Sequence, residues 1–235
     1  MTNNGGLPIQ TDSRIPMKRP HTNGVVTFLD VLGWKGIYNR ETDPIGKLTK
    51  LVATLEALAK QYRGNDYSPT LKSISDTIVI CSSRVDQAHI DEVIEWHGTI
   101  CAKAIAESII SHIPVRGATA VGDFEDRENI YVGRAIDEAA AWYECGDWIG
   151  VHLTPSAEFS VKNKLKIWTA YSPPLKNGGR RTIMCVNWLS AWREACAGKD
   201  PIGHLRNVFM KMGPIVPEIA SKFTSTIDFV ESLRG

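Results

Sequence analysis

Residues 25–32 read Val25-Val26-Thr27-Phe28-Leu29-Asp30-Val31-Leu32, and Gly33 follows them. The run is rich in β-branched and aromatic residues, and its apolar residues do not alternate with polar ones. This pattern predicts a short strand that is buried on both faces and ends at the glycine. The run contains one carboxylate, Asp30, near its end. A buried carboxylate without a partner is costly, so Asp30 is the first candidate functional residue.

The composition is that of an ordinary globular protein. The chain has 235 residues, of which 43% are hydrophobic and 23% charged, enough for a sizeable core. The 27 basic and 26 acidic residues nearly cancel, which argues against direct nucleic-acid binding as the main function. We expect no membrane span and no signal peptide. Five cysteines without a C-x-x-C pair argue against disulfides and structural zinc, so the expected location is cytoplasmic.

The order of predicted elements indicates the fold class. A helix over 44–62 follows the first strand, then strands over 67–74 and 77–81, a long helix over 85–112 and a strand over 115–121. This order predicts an α/β (α+β) fold with a ferredoxin-like βαββαβ core. Right-handed crossovers then place the first and third strands side by side and antiparallel.

Three segments are expected along the chain. Residues 1–23 are polar and rich in Pro and Gly, which favours a flexible N-terminal arm; residues 24–190 form the main domain; and residues 191–235 form a C-terminal helical extension. Within the main domain we expect a charged hairpin or loop at 123–128, helices at 133–145 and from Pro155, and strands near 149–153, 165–171 and 181–187. From residue 189 onward we expect two helices, broken at Gly213-Pro214.

Two aspartates are predicted to meet at one edge of this sheet. Asp30 ends the first strand and Asp76 begins the third, so antiparallel pairing brings both carboxylates to the same edge. Two such groups repel each other, and a divalent cation resolves the conflict. The pair therefore predicts a metal site of the kind used in phosphoryl transfer. For the same reason, removal of one aspartate is expected to raise thermal stability when metal is absent.

A glycine-containing turn follows Asp30. It reads Val31-Leu32-Gly33-Trp34-Lys35-Gly36, and such a turn can direct successive backbone N–H groups at a triphosphate. We expect the amides of Leu32 to Trp34 to do so. The sequence contains no G-x-x-x-x-G-K-[ST], G-x-S-x-G or H-E-x-x-H motif, which excludes the enzyme classes that depend on them.

Three segments resemble class III nucleotidyl cyclases. Phe28 to Trp34 is similar to their F-x-D-[IV]-x-G-[FW] metal motif, and Lys72 to Asp76 to the hairpin that carries their second metal aspartate. Tyr131 to Ala140 resembles the segment that opens their next helix. The three occur in family order, and the chain most resembles the stand-alone pyrimidine cyclases of bacterial Pycsar anti-phage defence.

The resemblance implies a homodimer with shared sites, in which metal ligands of one protomer face base-reading and transition-state residues of the other. It implies a pyrimidine nucleoside triphosphate as substrate, UTP favoured over CTP, and a cyclic product that activates an effector protein. It implies two ions per site, Mn²⁺ or Mg²⁺, held by Asp30, Asp76 and the carbonyl of Val31. The nucleotide-binding residues that it implies are Phe28, Leu32, Gly33, Trp34, Lys72 and Arg134.

Several positions depart from the family pattern. Ile130 replaces the usual acidic base reader, and Asp137 and Ala141 stand where the family has its transition-state Asn and Arg. Arg116 is our first candidate for the missing catalytic cation. If it has that role, a mixture of the inactive Asp30→Ala and Arg116→Ala variants is expected to restore turnover in part. The other candidates are Arg134, Lys176, Arg180 and Arg181.

These departures leave two alternatives open. A non-catalytic nucleotide-binding or dimerisation module is the main one, because such a module needs no transition-state cation. A palm-type polymerase or a diguanylate cyclase is disfavoured, because the chain has no G-G-D-E-F run and no basic excess.

Overall fold

The computed structural model describes residues 22–62, 66–127, 130–176, 178–213 and 216–234. The predicted arm over 1–23 lies outside these residues, except for Thr22 and Asn23, which begin the first strand. The strands are β1 (Thr22–Val31), β2 (Thr70–Ile74), β3 (Thr77–Ser83), β4 (Val115–Arg127), β5 (Ile130–Gly133), β6 (Val151–Leu153), β7 (Trp168–Tyr171) and β8 (Ile183–Val186). The α-helices are α1 (Pro44–Ala59), α2 (Ile90–Ile110), α3 (Arg134–Trp142), α4 (Pro155–Ser160), α5 (Leu189–Ala195), α6 (Pro201–Lys211) and α7 (Pro217–Ser232).

The strands form one mixed sheet. Its strand order is β2-β3-β1-β4-β6-β8-β7. Among the described strands, β5 lies outside this order and pairs only with β4. β1 lies between β3 and β4 and is antiparallel to both, whereas β6 is parallel to β4. The predicted βαββαβ core and the antiparallel pairing of the first and third strands are therefore confirmed.

Both faces of β1 are buried, as its apolar run predicts. Val25, Leu29 and Val31 belong to the main core, which also contains the inner faces of α1 and α2. Val26 lies on the other face, in a smaller cluster beneath α3, and Phe28 packs against that cluster. Since side chains alternate along a strand, Asp30 lies on the same face as Val26 and Phe28. We call this the open face of the sheet.

The C-terminal portion contains three helices in the described residues, not the two that were predicted. The additional break falls between α5 and α6, where Ala197 and Gly198 both have positive φ and Pro201 begins α6. Asp200 caps α6, since its carboxylate accepts the Gly203 N–H at 2.5 Å. The helices pack on the main core through Leu205, Phe209, Phe223 and Phe229.

The predicted hairpin at 123–128 is partly confirmed, because β4 continues through Arg127 and pairs with β5. Among the described residues, no helix combines the length and the apolar content that crossing a bilayer requires.

Candidate active site

The register of β1 places the two aspartates together. Asp30 pairs with Thr77 of β3 on one side and with Arg116 of β4 on the other. Asp76 precedes Thr77 in the β2–β3 turn, and its carbonyl accepts the Val31 N–H at 3.1 Å. Asp30, Val31 and Asp76 therefore lie at one edge of the sheet, where the sequence predicts them.

The Asp30 carboxyl has an unusual electrostatic environment. Burial raises its pKa above the ordinary value for an aspartate, and the nearby charge of Asp76 raises it further, while Arg116 lowers it. The side chain of Asp30 is only 15% exposed. A group in this position gains from a cation, because positive charge offsets both the burial and the repulsion.

Arg116 already supplies one positive charge. Its Nε and Nη2 both donate to Oδ2 of Asp30, each at 3.3 Å. Its Nη1 donates to the carbonyls of Glu144 and Gly146, at 3.2 and 3.1 Å. The guanidinium is thus buried, and all three of its nitrogens donate hydrogen bonds within its own protomer, two of them to the carboxylate that is predicted to bind metal. This geometry does not match the predicted role of a cation that faces the substrate.

The ion pair changes the stability expected for Asp30→Ala. That substitution leaves the Arg116 charge buried and unpaired, and breaking a buried pair in this way costs roughly 3 kcal/mol or more. We therefore expect Asp30→Ala to destabilise the protein, opposite in sign to the sequence-based expectation. Asp76 forms no ion pair with another described residue, so Asp76→Ala should retain or gain stability. Urea unfolding in EDTA measures both, and equal stabilities of the two variants would contradict the assignment of the pair.

The turn after β1 has the backbone that its glycines predict. Gly33 has φ +71° and Gly36 has φ +79°, in the left-handed region that favours glycine. The Leu32 N–H, however, donates to the carbonyl of Pro114 at 2.8 Å. The Leu32 amide is therefore occupied, and the predicted phosphate cradle of Leu32 to Trp34 is wrong for this amide. Trp34 is partly buried against the main core.

Arg40 lies beside this turn and was not identified from the sequence. Its Nη2 donates to the carbonyls of Leu32 and Gly33, at 3.3 and 2.5 Å. The guanidinium therefore brings a positive charge to the segment predicted to hold a triphosphate. No known spacing relates Arg40 to Gly33, so only the folded chain reveals this contact.

The open face contains a cavity of about 430 Å³, and one residue of its wall, Thr77, is the cross-strand partner of Asp30. Its walls are Phe28, Ile74, Thr77, Val79, Ile130, Tyr131 and Ile136. Lys72 pairs with Val79 across β2 and β3 and so lies on the same face. Its Nζ lies 3.5 Å from Oδ1 of Asp126 and 4.3 Å from the centre of the Tyr131 ring. Asp126 and Tyr131 are thus neighbours of Lys72 that the sequence motifs did not indicate.

Arg134 lies far from the two aspartates of its own protomer. It is exposed at the start of α3, and a Cβ built on Gly122 would lie 3.7 Å from its Cβ. Gly122 pairs with Gly24, so Arg134 and Asp30 are at opposite ends of β1, about 20 Å apart at the usual rise of a strand. The Arg134 guanidinium is therefore too far away to touch the aspartates of its own protomer.

The residues that follow α3 lie close to Phe28 and Asp30. Tyr143 stacks on Phe28 with ring centres 5.9 Å apart, and its hydroxyl donates to Oε1 of Glu144 at 3.1 Å. Glu144 is close enough to Asp30 to contribute to its raised pKa. Asp137 and Ala141, which occupy the positions of the family's Asn and Arg, are both exposed on the same helix.

The oxygen ligands at this edge fit a hard divalent cation. Mg²⁺ and Mn²⁺ are commonly held by one or two carboxylates, with waters and substrate phosphates completing the coordination. Asp30 and Asp76, with the backbone of Val31, offer such a partial set. The described residues contain no group of three or more His, Cys, Asp or Glu side chains suited to enclose an ion. Asp30, Asp76 and the Val31 carbonyl would therefore supply part of an ion's coordination, and water or substrate phosphates would supply the rest.

Comparisons with known proteins support the fold of this chain, and that is all they show. No protein-family model and no curated protein matches the sequence. Among solved structures, the guanylate cyclase domain of RhGC from Catenaria anguillulae, in complex with GTP, is 17% identical; the alignment covers 71% of this chain and 96% of that one, with a TM-score of 0.51.

Two further solved structures give the same result. A non-canonical dimeric guanylyl cyclase domain of the RhoGC fusion protein from Blastocladiella emersonii is 18% identical, with coverage of 71% and 96% and a TM-score of 0.52. The adenylyl cyclase CyaB from P. aeruginosa is 11% identical, with coverage of 71% and 94% and a TM-score of 0.51. The fold is therefore that of the class III nucleotidyl cyclase catalytic domain.

Proposed function

We propose that this protein is a nucleotidyl cyclase that acts, as a homodimer, on a pyrimidine nucleoside triphosphate, with UTP favoured over CTP. The observation that carries the proposal is the meeting of Asp30 and Asp76 at one sheet edge of a cyclase fold, beside an open cavity. The products would be the 3′,5′-cyclic monophosphate and pyrophosphate. In the cell, the cyclic nucleotide would activate an effector protein in anti-phage defence, in keeping with the sequence resemblance.

The reaction needs little covalent chemistry from the protein. The 3′-oxygen bonds to the α-phosphorus, its proton passes to water, and the bond to the bridging oxygen breaks as pyrophosphate leaves. Divalent cations held by Asp30, Asp76 and the Val31 carbonyl would acidify the 3′-hydroxyl and neutralise the phosphates. The Gly33 turn would receive the phosphates through its backbone amides, with the Arg40 charge beside them.

A second copy of the chain would complete the site. Three apolar side chains beside the cavity are more than half exposed: Ile74 at 61%, Ile130 at 64% and Val132 at 56%. Dimerisation across the open face would remove them from water. It would also bring the partner's α3, with its Arg134, towards the aspartates, which the protomer's own Arg134 cannot reach.

Lys72 and Asp126 are the side chains best placed to read the base. A lysine ammonium donates to carbonyl oxygens, and uracil offers two of these where cytosine offers one. The Asp126 carboxylate lies beside Lys72 and can accept a hydrogen bond. It could thus do what Ile130, at the position of the family's acidic base reader, cannot do, and the N–H of uracil could donate to it. Each unmet polar group costs about 1–3 kcal/mol, or roughly ten- to hundredfold in preference.

Purified protein should therefore cyclise UTP fastest, CTP more slowly, and ATP and GTP negligibly. Each labelled nucleotide is incubated with Mn²⁺, and the products are separated by chromatography. Lys72→Ala should reduce the preference for UTP at least several-fold. Lys103→Ala is the matched control, since Lys103 is equally exposed and also ion-paired but lies on α2, away from the cavity. Comparable cyclisation of ATP would overturn the pyrimidine assignment.

A non-catalytic nucleotide-binding module is the second candidate function. Asp137 and Ala141 on α3 favour this candidate. They stand where the resembling family has an Asn amide and an Arg cation, and a carboxylate and a methyl group cannot stabilise the negative charge of a phosphoryl-transfer transition state. The same assay separates the two candidates, because a binding module would retain nucleotide without forming a cyclic product from any of the four substrates.

A further inference from the structure

The α3–β6 loop, residues 143–150, holds the Arg116 side chain in position. Two carbonyls of this loop, those of Glu144 and Gly146, accept hydrogen bonds from Nη1 of Arg116. Because Nη1 is held there, the guanidinium meets Asp30 only through Nε and Nη2, and both contacts fall on Oδ2. Oδ1 of Asp30 is thus left outside the ion pair.

Helix α7 braces this loop with three polar side chains. The Ser221 hydroxyl donates to Oδ2 of Asp147 at 2.8 Å, and Nζ of Lys222 lies 3.0 Å from Oδ1 of the same carboxylate. The N–H of Ile149 donates to the buried Thr226 hydroxyl at 2.9 Å. Asp147 therefore ties the C-terminal helix to the segment that positions Arg116.

We propose that Asp147 is a positioning residue for the metal site, and that α7 acts through it to keep the Arg116 guanidinium off Oδ1 of Asp30. This inference rests on the proposed function, in which Asp30 binds a divalent cation. If the loop loosens, Nη1 is released from its two carbonyls. The guanidinium can then turn to bind both oxygens of the carboxylate, which is the geometry that arginine favours. A cation would have to displace it, so metal affinity falls.

The test measures Mn²⁺ binding to the nucleotide-free protein, by electron paramagnetic resonance of the unbound ion, together with urea unfolding. Asp147→Ala and Thr226→Val should each raise the Mn²⁺ dissociation constant, by roughly tenfold for Asp147→Ala, as is typical when a group that orients a metal ligand is lost. Asp147→Asn, which retains an acceptor oxygen, should give a smaller shift. Turnover at saturating Mn²⁺ should remain near the wild-type value.

Glu231→Gln is the matched control. It removes another ion pair of α7, the one with Arg206 at 3.1 Å, without touching the loop. This control should leave Mn²⁺ binding unchanged. Ser221→Ala, which removes one exposed hydrogen bond, provides a mild variant if the others fail to fold, and it too should weaken Mn²⁺ binding.

The outcomes separate this inference from the proposed function. Wild-type affinity in the loop variants, or an equal shift in Glu231→Gln, would overturn the positioning role of Asp147 alone. If instead the wild-type protein and Asp76→Ala bind Mn²⁺ equally, the aspartates are not metal ligands, and the proposed function fails together with this inference.

Discussion

Asp76→Ala is expected to lower cyclic nucleotide formation at least about a hundredfold, since a bound metal ion stabilises transition-state charge by several kcal/mol and about 1.4 kcal/mol is a factor of ten. Asp76 is the better test of the two aspartates. Asp30→Ala should abolish turnover as well, but it also unpairs the buried Arg116. A loss in Asp76→Ala is free of that structural effect.

The rate is measured with UTP and Mn²⁺ on protein whose unfolding curve matches the wild type. Asp66→Ala is a suitable control, because Asp66 is another turn carboxylate close to β2 but lies outside the site. It should retain full activity. More than a tenth of the wild-type rate in Asp76→Ala would disprove the two-metal assignment.

Mixing two inactive variants is expected to restore turnover, provided that each removes a different half of a shared site. Asp76→Ala lacks a metal ligand, and Arg134→Ala lacks the cation that would reach the aspartates only from the partner subunit. In a heterodimer of the two, one site carries both defects and the other carries none. With random exchange of subunits in a closed two-fold dimer, about a quarter of the wild-type activity should return.

The pairing of Asp30→Ala with Arg116→Ala is the matched negative control. Both side chains belong to one half-site, because they are bonded to each other within a single protomer. Mixing them should restore nothing, contrary to the expectation drawn from the sequence. The shared-site hypothesis fails if the first mixture remains inactive although subunit exchange is demonstrated by labelled protomers.

Much of the site could be predicted because its parts are local in sequence. The run around Asp30 identifies a buried strand with one carboxylate, and the order of strands and helices brings Asp76 to the same edge. The turn glycines Gly33 and Gly36 also have the backbone that a tight turn requires. Each of these inferences depends on periodicity, on residue type or on the small number of ways in which a βαββαβ unit can fold.

Other features depended on contacts between distant segments. The Leu32 amide is occupied by Pro114, and Lys72 meets Asp126 only because the β4–β5 hairpin crosses the sheet. Arg40 reaches the turn through a side-chain conformation that no spacing rule describes. Such contacts follow from how the elements pack, and a single sequence carries no signal for them.

Strand periodicity and crossover handedness follow from local backbone geometry. The sequence alone therefore indicates which strand is buried on both faces, which of its residues is charged and which elements lie beside it. The ion pair between Arg116 and Asp30, in contrast, is visible only in the folded chain. The cross-strand register aligns these two residues, and the α3–β6 loop, braced by α7, sets the angle of the guanidinium. A buried charge takes its role from the groups packed around it, and at this pair β1, β4, the α3–β6 loop and α7 all contribute.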